Sequence, residues 1–260
     1  MNAPLPRIAS ASHQRTNDKA FELVAAALRP GIRVLDLGAG RGHLARRVGQ
    51  ALGERGLPAA GHLLATDLAA SWFHATEVPF QEADFNRRLP FADGSFDLIY
   101  SIEVIEHLRN PYDFIDECFR LLAPGGTLLL STPNTLHLAS RLRYLFTGFF
   151  EIYEPPSIRP ENAGRICGHI MPLHAAYYDY ALRRSGFAPP VYHVDKEKGL
   201  SRWLYHLGRP LLALMRRAGE RRVRRYDAAV YQECAAVLAQ MGSRTLLTAR
   251  SLMFTARKPG

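Results

Sequence analysis

Val34-Leu35-Asp36-Leu37-Gly38-Ala39-Gly40-Arg41-Gly42 decides the fold of this 260-residue chain. It reads as a short buried strand that ends in an acidic residue and runs straight into a glycine-rich turn. Backbone must come close to a ligand at such a turn, and only glycine permits it. The stretch therefore marks a nucleotide-type site. Its order, Asp-x-Gly-x-Gly-x-Gly, departs from the dinucleotide fingerprint Gly-x-Gly-x-x-Gly, and it lacks the Lys-Ser/Thr pair of a phosphate-binding P-loop.

Outward from this turn, strands and helices alternate. Upstream, Asn17 or Thr16 is the expected cap of a helix that runs to about Leu28 and stops at Pro30-Gly31. Strands are expected at 33–37, 62–66, 78–83, 96–100 and 127–131, with helices at 42–52 and 111–122. Asp67 and Asp84 follow the second and third strands, and Pro124-Gly125-Gly126 turns into the fifth. Alternation of this kind implies a parallel sheet with right-handed crossovers. Asp36, Asp67, Asp84 and Ser101 then gather at one sheet edge, where open α/β sheets bind ligands.

After Asn134 the rhythm changes. Helices are expected at 136–146 and 174–185, a sixth strand at 191–194, a mostly helical stretch at 200–247 and a last strand at 251–256. Between them, 147–168 is long, rich in proline and aromatics, and without period, as functional loops often are.

Composition narrows the class. The chain is 47% hydrophobic, enough for one sizeable α/β domain. No run of about 18 apolar residues predicts a spanning helix. The polar first residues, with Pro4 and Pro6, do not resemble a signal peptide. Cys118, Cys167 and Cys234 are far apart, which argues against a disulfide framework or thiolate zinc and for a reducing cytosol. Net charge is +9, and eight arginines between Arg202 and Arg225 supply much of it. They read either as a solvated helix face or as a contact with nucleic acid or an anionic membrane. Trp203-Leu204-Tyr205 and Pro210-Leu211-Leu212-Ala213-Leu214-Met215 beside them suit an interfacial segment, or a helical cap on the sheet.

Two further stretches extend the pattern: Phe96-Asp97-Leu98-Ile99-Tyr100-Ser101-Ile102-Glu103-Val104-Ile105-Glu106-His107-Leu108, and Leu122-Ala123-Pro124-Gly125-Gly126-Thr127 with Ser131-Thr132-Pro133-Asn134. With the glycine turn they resemble the class I S-adenosylmethionine-dependent methyltransferases, in particular the ubiquinone-biosynthesis-type O-methyltransferases. The resemblance covers about 31–134. It implies an α/β, Rossmann-like, seven-stranded, mostly parallel sheet with an antiparallel last strand, helices on both faces and helical insertions. A single domain over 1–260 would hold a cofactor-binding core at 31–134, an acceptor lid at 135–186 and a basic helical insertion at 199–247. The implied cofactor is S-adenosylmethionine. Gly38, Ala39 and Gly40 would approach its methionine end, with Asp36 orienting the turn or the ammonium group. Asp67, beside Leu68, would take the ribose diol, since a carboxylate accepts from two hydroxyls. Asp84 and Phe85 would meet the adenine, with Ser101 and Ile102 at the end of the fourth strand.

No Asn/Asp-Pro-Pro-Tyr follows the fourth strand, which lowers N-methylation. Glu103, Glu106 and His107 favour deprotonating a hydroxyl instead, so the expected reaction is O-methylation of a small or lipid-linked acceptor. His107 is the first candidate base and His169 the second, with Glu106 beside them. If the segment turns helical, Glu103 and His107 share a face. A similar set, two Glu, a His and a later His, holds magnesium in the family that 2′-O-methylates small RNAs. A divalent metal here, on Glu103, Glu106, His107 and His169, is the less favoured reading, as is a nucleic-acid substrate. A non-catalytic cofactor-binding regulator is the third. His137 and His174 flank the long loop and either line the acceptor pocket or cap helices. The expected location is cytoplasmic, with peripheral contact at the inner face of an anionic membrane.

Overall fold

The computed structural model describes residues 8–9, 12–159 and 168–260. Residues 160–167 of the expected lid, Cys167 among them, and the first seven residues with Pro4 and Pro6 lie outside the described residues.

Among the described residues seven strands make one sheet: β1 (Val34–Leu37), β2 (Leu63–Asp67), β3 (Phe80–Glu82), β4 (Phe96–Ile102), β5 (Leu122–Pro133), β6 (Val191–His193) and β7 (Ser251–Arg257). Their order is β3-β2-β1-β4-β5-β7-β6. β1 to β5 pair in parallel, and β7 runs antiparallel to both β5 and β6. The strand order reverses between β1 and β4, which is where an open α/β sheet leaves a crevice.

Side chains alternate across the sheet with the two-residue period of a strand. Leu35, Leu37, Ile99, Leu128, Leu130 and Phe254 face one core, under α3 (Pro111–Leu121) and α5 (Ala175–Ser185). Val34, Leu98, Tyr100, Leu129 and Met253 face the other, under α1 (Gln14–Ala27) and α2 (His43–Gly53). Among the described residues the remaining helices are α4 (Leu138–Thr147), α6 (Gly199–Tyr226), α7 (Ala228–Met241) and α8 (Arg244–Thr248). The last three replace the single helical stretch expected from sequence.

Several boundaries differ from the expectation. The cap of α1 is His13, whose Nδ1 accepts from the Arg15 N–H at 3.1 Å. Thr16 and Asn17 lie inside the helix, and the Thr16 hydroxyl donates to Asp195 at 2.7 Å. The third strand keeps only Phe80–Glu82, so Asp84 stands two residues past its end. The fifth begins at Leu122, five residues early: Phe96 pairs with Leu122, then Leu98 with Thr127, and Pro124-Gly125-Gly126 form an irregularity within the strand instead of a turn before it. His174 caps α5 through the Ala176 N–H, and His137 caps α4 through the Ser140 N–H.

Candidate active site

A cavity of about 810 Å³ lies over the ends of β1, β2 and β4. Its first wall is the glycine turn, where Gly38, Gly40 and Gly42 take φ of +90°, +52° and +85°. The turn is held by β2: the N–H groups of Gly38 and Ala39 both donate to the Thr66 carbonyl at 2.9 Å. Asp67 completes the hold. Its Oδ2 accepts from the Gly40 N–H and its Oδ1 from the Leu68 N–H, each at 2.7 Å. A carboxylate oxygen has a second lone pair, so Asp67 can still accept from a ligand in the cavity it lines. A Cβ on Gly38 would overlap the Val104 side chain. Gly38→Ala is therefore expected to destabilise the fold by about 1–3 kcal/mol, read as a lowered thermal midpoint. Gly40→Ala meets no atom within 4 Å and provides the milder control.

Asp36 is 3% exposed, and its Oδ2 has no hydrogen-bond partner. Burial raises its carboxyl well above the usual range, partly relieved by the Tyr100 hydroxyl across the β1–β4 pair and reinforced by the nearby Asp67 charge. An orphaned carboxylate oxygen on a cavity wall fits a cationic ligand group. Leu68, Phe85, Ile102 and Trp72 add apolar surface to the same cavity.

Two expected residues are turned elsewhere. Asp84 accepts from the Asn86 N–H at 3.0 Å and pairs with Arg87. The cavity is lined at this point by Phe85 and Asn86. Ser101 is directed to the opposite side of β4 from Ile102, and its hydroxyl donates to the Leu37 carbonyl at 2.8 Å.

The Glu-Val-Ile-Glu-His segment does not continue as a helix from β4. Glu103 has a left-handed φ of +56°, and only Ile105–His107 make one 3₁₀ turn. Glu103 and His107 therefore do not share a helical face. Glu103 accepts from the Arg250 guanidinium at 2.7 Å and from the Ser251 hydroxyl at 3.3 Å. Sequence gave no signal for this partner, which lies 147 residues away.

Glu106, His107 and His169 do come together, with one ligand atom from each within 4.8 Å of the others. His107 and His169 meet ring edge to face, centroids 4.7 Å apart. The Nδ1 of His107 lies 3.1 Å from the Gly168 carbonyl, and that of His169 lies 2.8 Å from the Ile152 carbonyl. A carbonyl only accepts, so each Nδ1 carries the proton and each Nε2 keeps its lone pair. Burial lowers the pKa of both rings and holds them neutral. Glu106 is fully buried with neither carboxylate oxygen bonded, and burial, with the Glu103 charge, pushes its pKa up to about 8. The buried hydroxyls of Tyr153, Tyr178 and Thr132 are also unpaired. Glu106, His107 and His169 suit a divalent cation by donor chemistry; Glu103 does not belong to that set. Of the three, His107 alone lines the cavity.

An open α/β sheet with a glycine turn at its switch point and Asp36, Asp67 and Glu103 around the cavity defines a nucleotide-type ligand-binding protein. The family model described as a methyltransferase domain matches residues 11–189, and the chain belongs to that family. It is 34% identical over 132 residues to a ubiquinone biosynthesis O-methyltransferase of Psychrobacter arcticus, covering 48% of this chain and 47% of that protein. It is 36% identical over 104 residues to the chloroplastic tocopherol O-methyltransferase of Arabidopsis thaliana, covering 38% and 30%. The chain spans about half the length, or less, of these curated relatives. Among solved structures, an Archaeoglobus fulgidus SAM-dependent methyltransferase superposes with a TM-score of 0.53 at 17% identity, covering 92% of this chain and 94% of that one. The phosphoethanolamine N-methyltransferase 2 of Haemonchus contortus, in complex with S-adenosyl-L-methionine, gives 0.52 at 18%, covering 95% and 53%. At these identities the structures show a shared fold.

Proposed function

We propose that the chain transfers a methyl group from S-adenosylmethionine to a hydroxyl of a small or lipid-linked acceptor. One observation carries the reading: the unpaired Asp36 oxygen, the glycine turn pinned by Asp67, and the neutral His107 ring line one cavity. In this reading Asp36 faces the cationic amino-acid end of the cofactor, Gly38, Ala39 and Gly40 let it approach, and Asp67 accepts from the ribose hydroxyls. Leu68 and Phe85 supply apolar contact for the adenine. When bound, the cofactor supplies a methyl group on positively charged sulfur. Nε2 of His107 would take the proton of the acceptor hydroxyl, leaving its oxygen as the nucleophile toward that methyl group. His169, edge-on against His107, sets the position of that ring, and Glu106 Oε1 lies 3.9 Å from the His169 Nε2 behind it.

The O-methyltransferase names of the sequence relatives support oxygen as the atom methylated. The fold is silent on it, since an N-methyltransferase shares the fold. The small-RNA reading loses one residue of its set, because Glu103 is held by Arg250. A lipid-linked acceptor, peripheral contact with an anionic membrane and a cytoplasmic location belong to the same proposal. Exposed Leu145 and Phe146 on α4, in the expected lid, support the first two. Labelled cofactor with a panel of phenolic and aliphatic hydroxyl acceptors tests the proposal. Transfer to at least one hydroxyl is expected. Cofactor binding with transfer only to amines would overturn the oxygen assignment, and no cofactor binding would overturn the whole reading.

A further inference from the structure

Leu200, Trp203, Leu207, Leu211 and Leu214 of α6 recur every three or four residues, and Met215 follows Leu211 by four, so they share one side of the helix. Each is 53–67% exposed. A single exposed leucine needs no explanation, but a line of six over about 22 Å of helix does. Other sides of α6 pack on α4, α7 and α8. The line changes character beyond Met215. Arg221 and Arg225 stand 18 residues, or five turns, past Trp203 and Leu207 and continue the same side of the helix, both exposed. Eight arginines occupy α6 against one acidic residue, Glu220, which is paired with Arg216 at 2.8 Å.

We propose that this side of α6 docks on the surface of an anionic lipid bilayer. The leucine, tryptophan and methionine side chains enter the boundary between headgroups and acyl chains, and the arginines meet lipid phosphates. Among the described residues no helix is long and apolar enough to cross a membrane, so α6 lies in the interface plane. The combination selects this occupant. A nucleic acid offers phosphates but no complement for six large apolar side chains, and a second copy would set two arginine-rich helices against each other. The surface specifies the membrane contact proposed above, and it does not depend on methyl transfer.

The test is co-sedimentation of the whole chain with phosphatidylcholine vesicles, with and without phosphatidylglycerol. Binding is expected only to the anionic vesicles, and it should weaken as salt is added. Leu207→Gln, Leu211→Gln and Leu214→Gln together should reduce it about tenfold or more. Arg221→Gln with Arg225→Gln should reduce it and flatten its salt dependence. All five residues are exposed, so the variants should keep wild-type cofactor titrations. Equal sedimentation of wild type and the triple-leucine variant overturns the proposal, as does absence of binding to anionic vesicles at low salt. A solution dimer that the triple substitution dissociates assigns the face to a second copy and also overturns it. Failure of wild type to bind cofactor would fault the methyltransferase reading and leave the vesicle result standing.

Discussion

Asp67→Ala is expected to weaken S-adenosylhomocysteine binding at least about a hundredfold in a calorimetric titration. The carboxylate receives two backbone N–H groups, from Gly40 and Leu68. Hydrogen bonds to a charged acceptor contribute about 1.5–3 kcal/mol each, and every 1.4 kcal/mol is about tenfold in affinity. Removing the side chain frees the glycine turn on one side and deletes the ribose acceptor on the other. Both effects act on the ligand more than on the sheet, because Gly38 and Ala39 keep their bonds to the Thr66 carbonyl. The thermal midpoint should therefore fall far less than the affinity. Wild-type affinity in this variant would show that the cofactor lies elsewhere.

His107→Ala should leave that titration nearly unchanged and lower turnover by about 10²–10⁴, the usual contribution of a positioned general base. The ring lines the cavity with Nε2 unprotonated, while its Nδ1 is occupied by the Gly168 carbonyl. His169→Ala should cost less, since His169 reaches the cavity only through His107. The loss should fall on kcat rather than on cofactor affinity. If His169→Ala abolishes turnover and His107→Ala does not, the roles of the two rings are reversed.

The sheet was legible because hydrophobic runs ending in Asp36 and Asp67 obey a local rule: buried parallel strands are apolar throughout, and their ends carry the polar ligands. Ser101 was misplaced because a one-residue step along a strand changes the face, and neighbouring Ile102 takes the cavity side. Alternation would also have found Tyr100, opposite Asp36 in register. Glu103 entered the less favoured metal set only on the condition of a helix, which does not form. Its ligand-like spacing assumed a helix, whereas a left-handed residue and a distant arginine fix it, and neither leaves a local trace. The pairing of His107 with His169 joins segments more than sixty residues apart, and only the resemblance suggested it.

The histidine that caps α4 has a wider consequence. His137 is 2% exposed; Nδ1 lies 3.1 Å from both the Ser140 N–H and the Ser201 hydroxyl of α6, and Nε2 lies 3.3 Å from Glu151. Glu151 in turn pairs with Lys198, the residue just before α6. Ser201 also accepts from the Ala139 N–H of α4 at 3.0 Å. The first turns of the two helices thus share one buried bolt. A tug on α6 from outside the molecule would be felt at the root of α4 without any signal passing through the sheet.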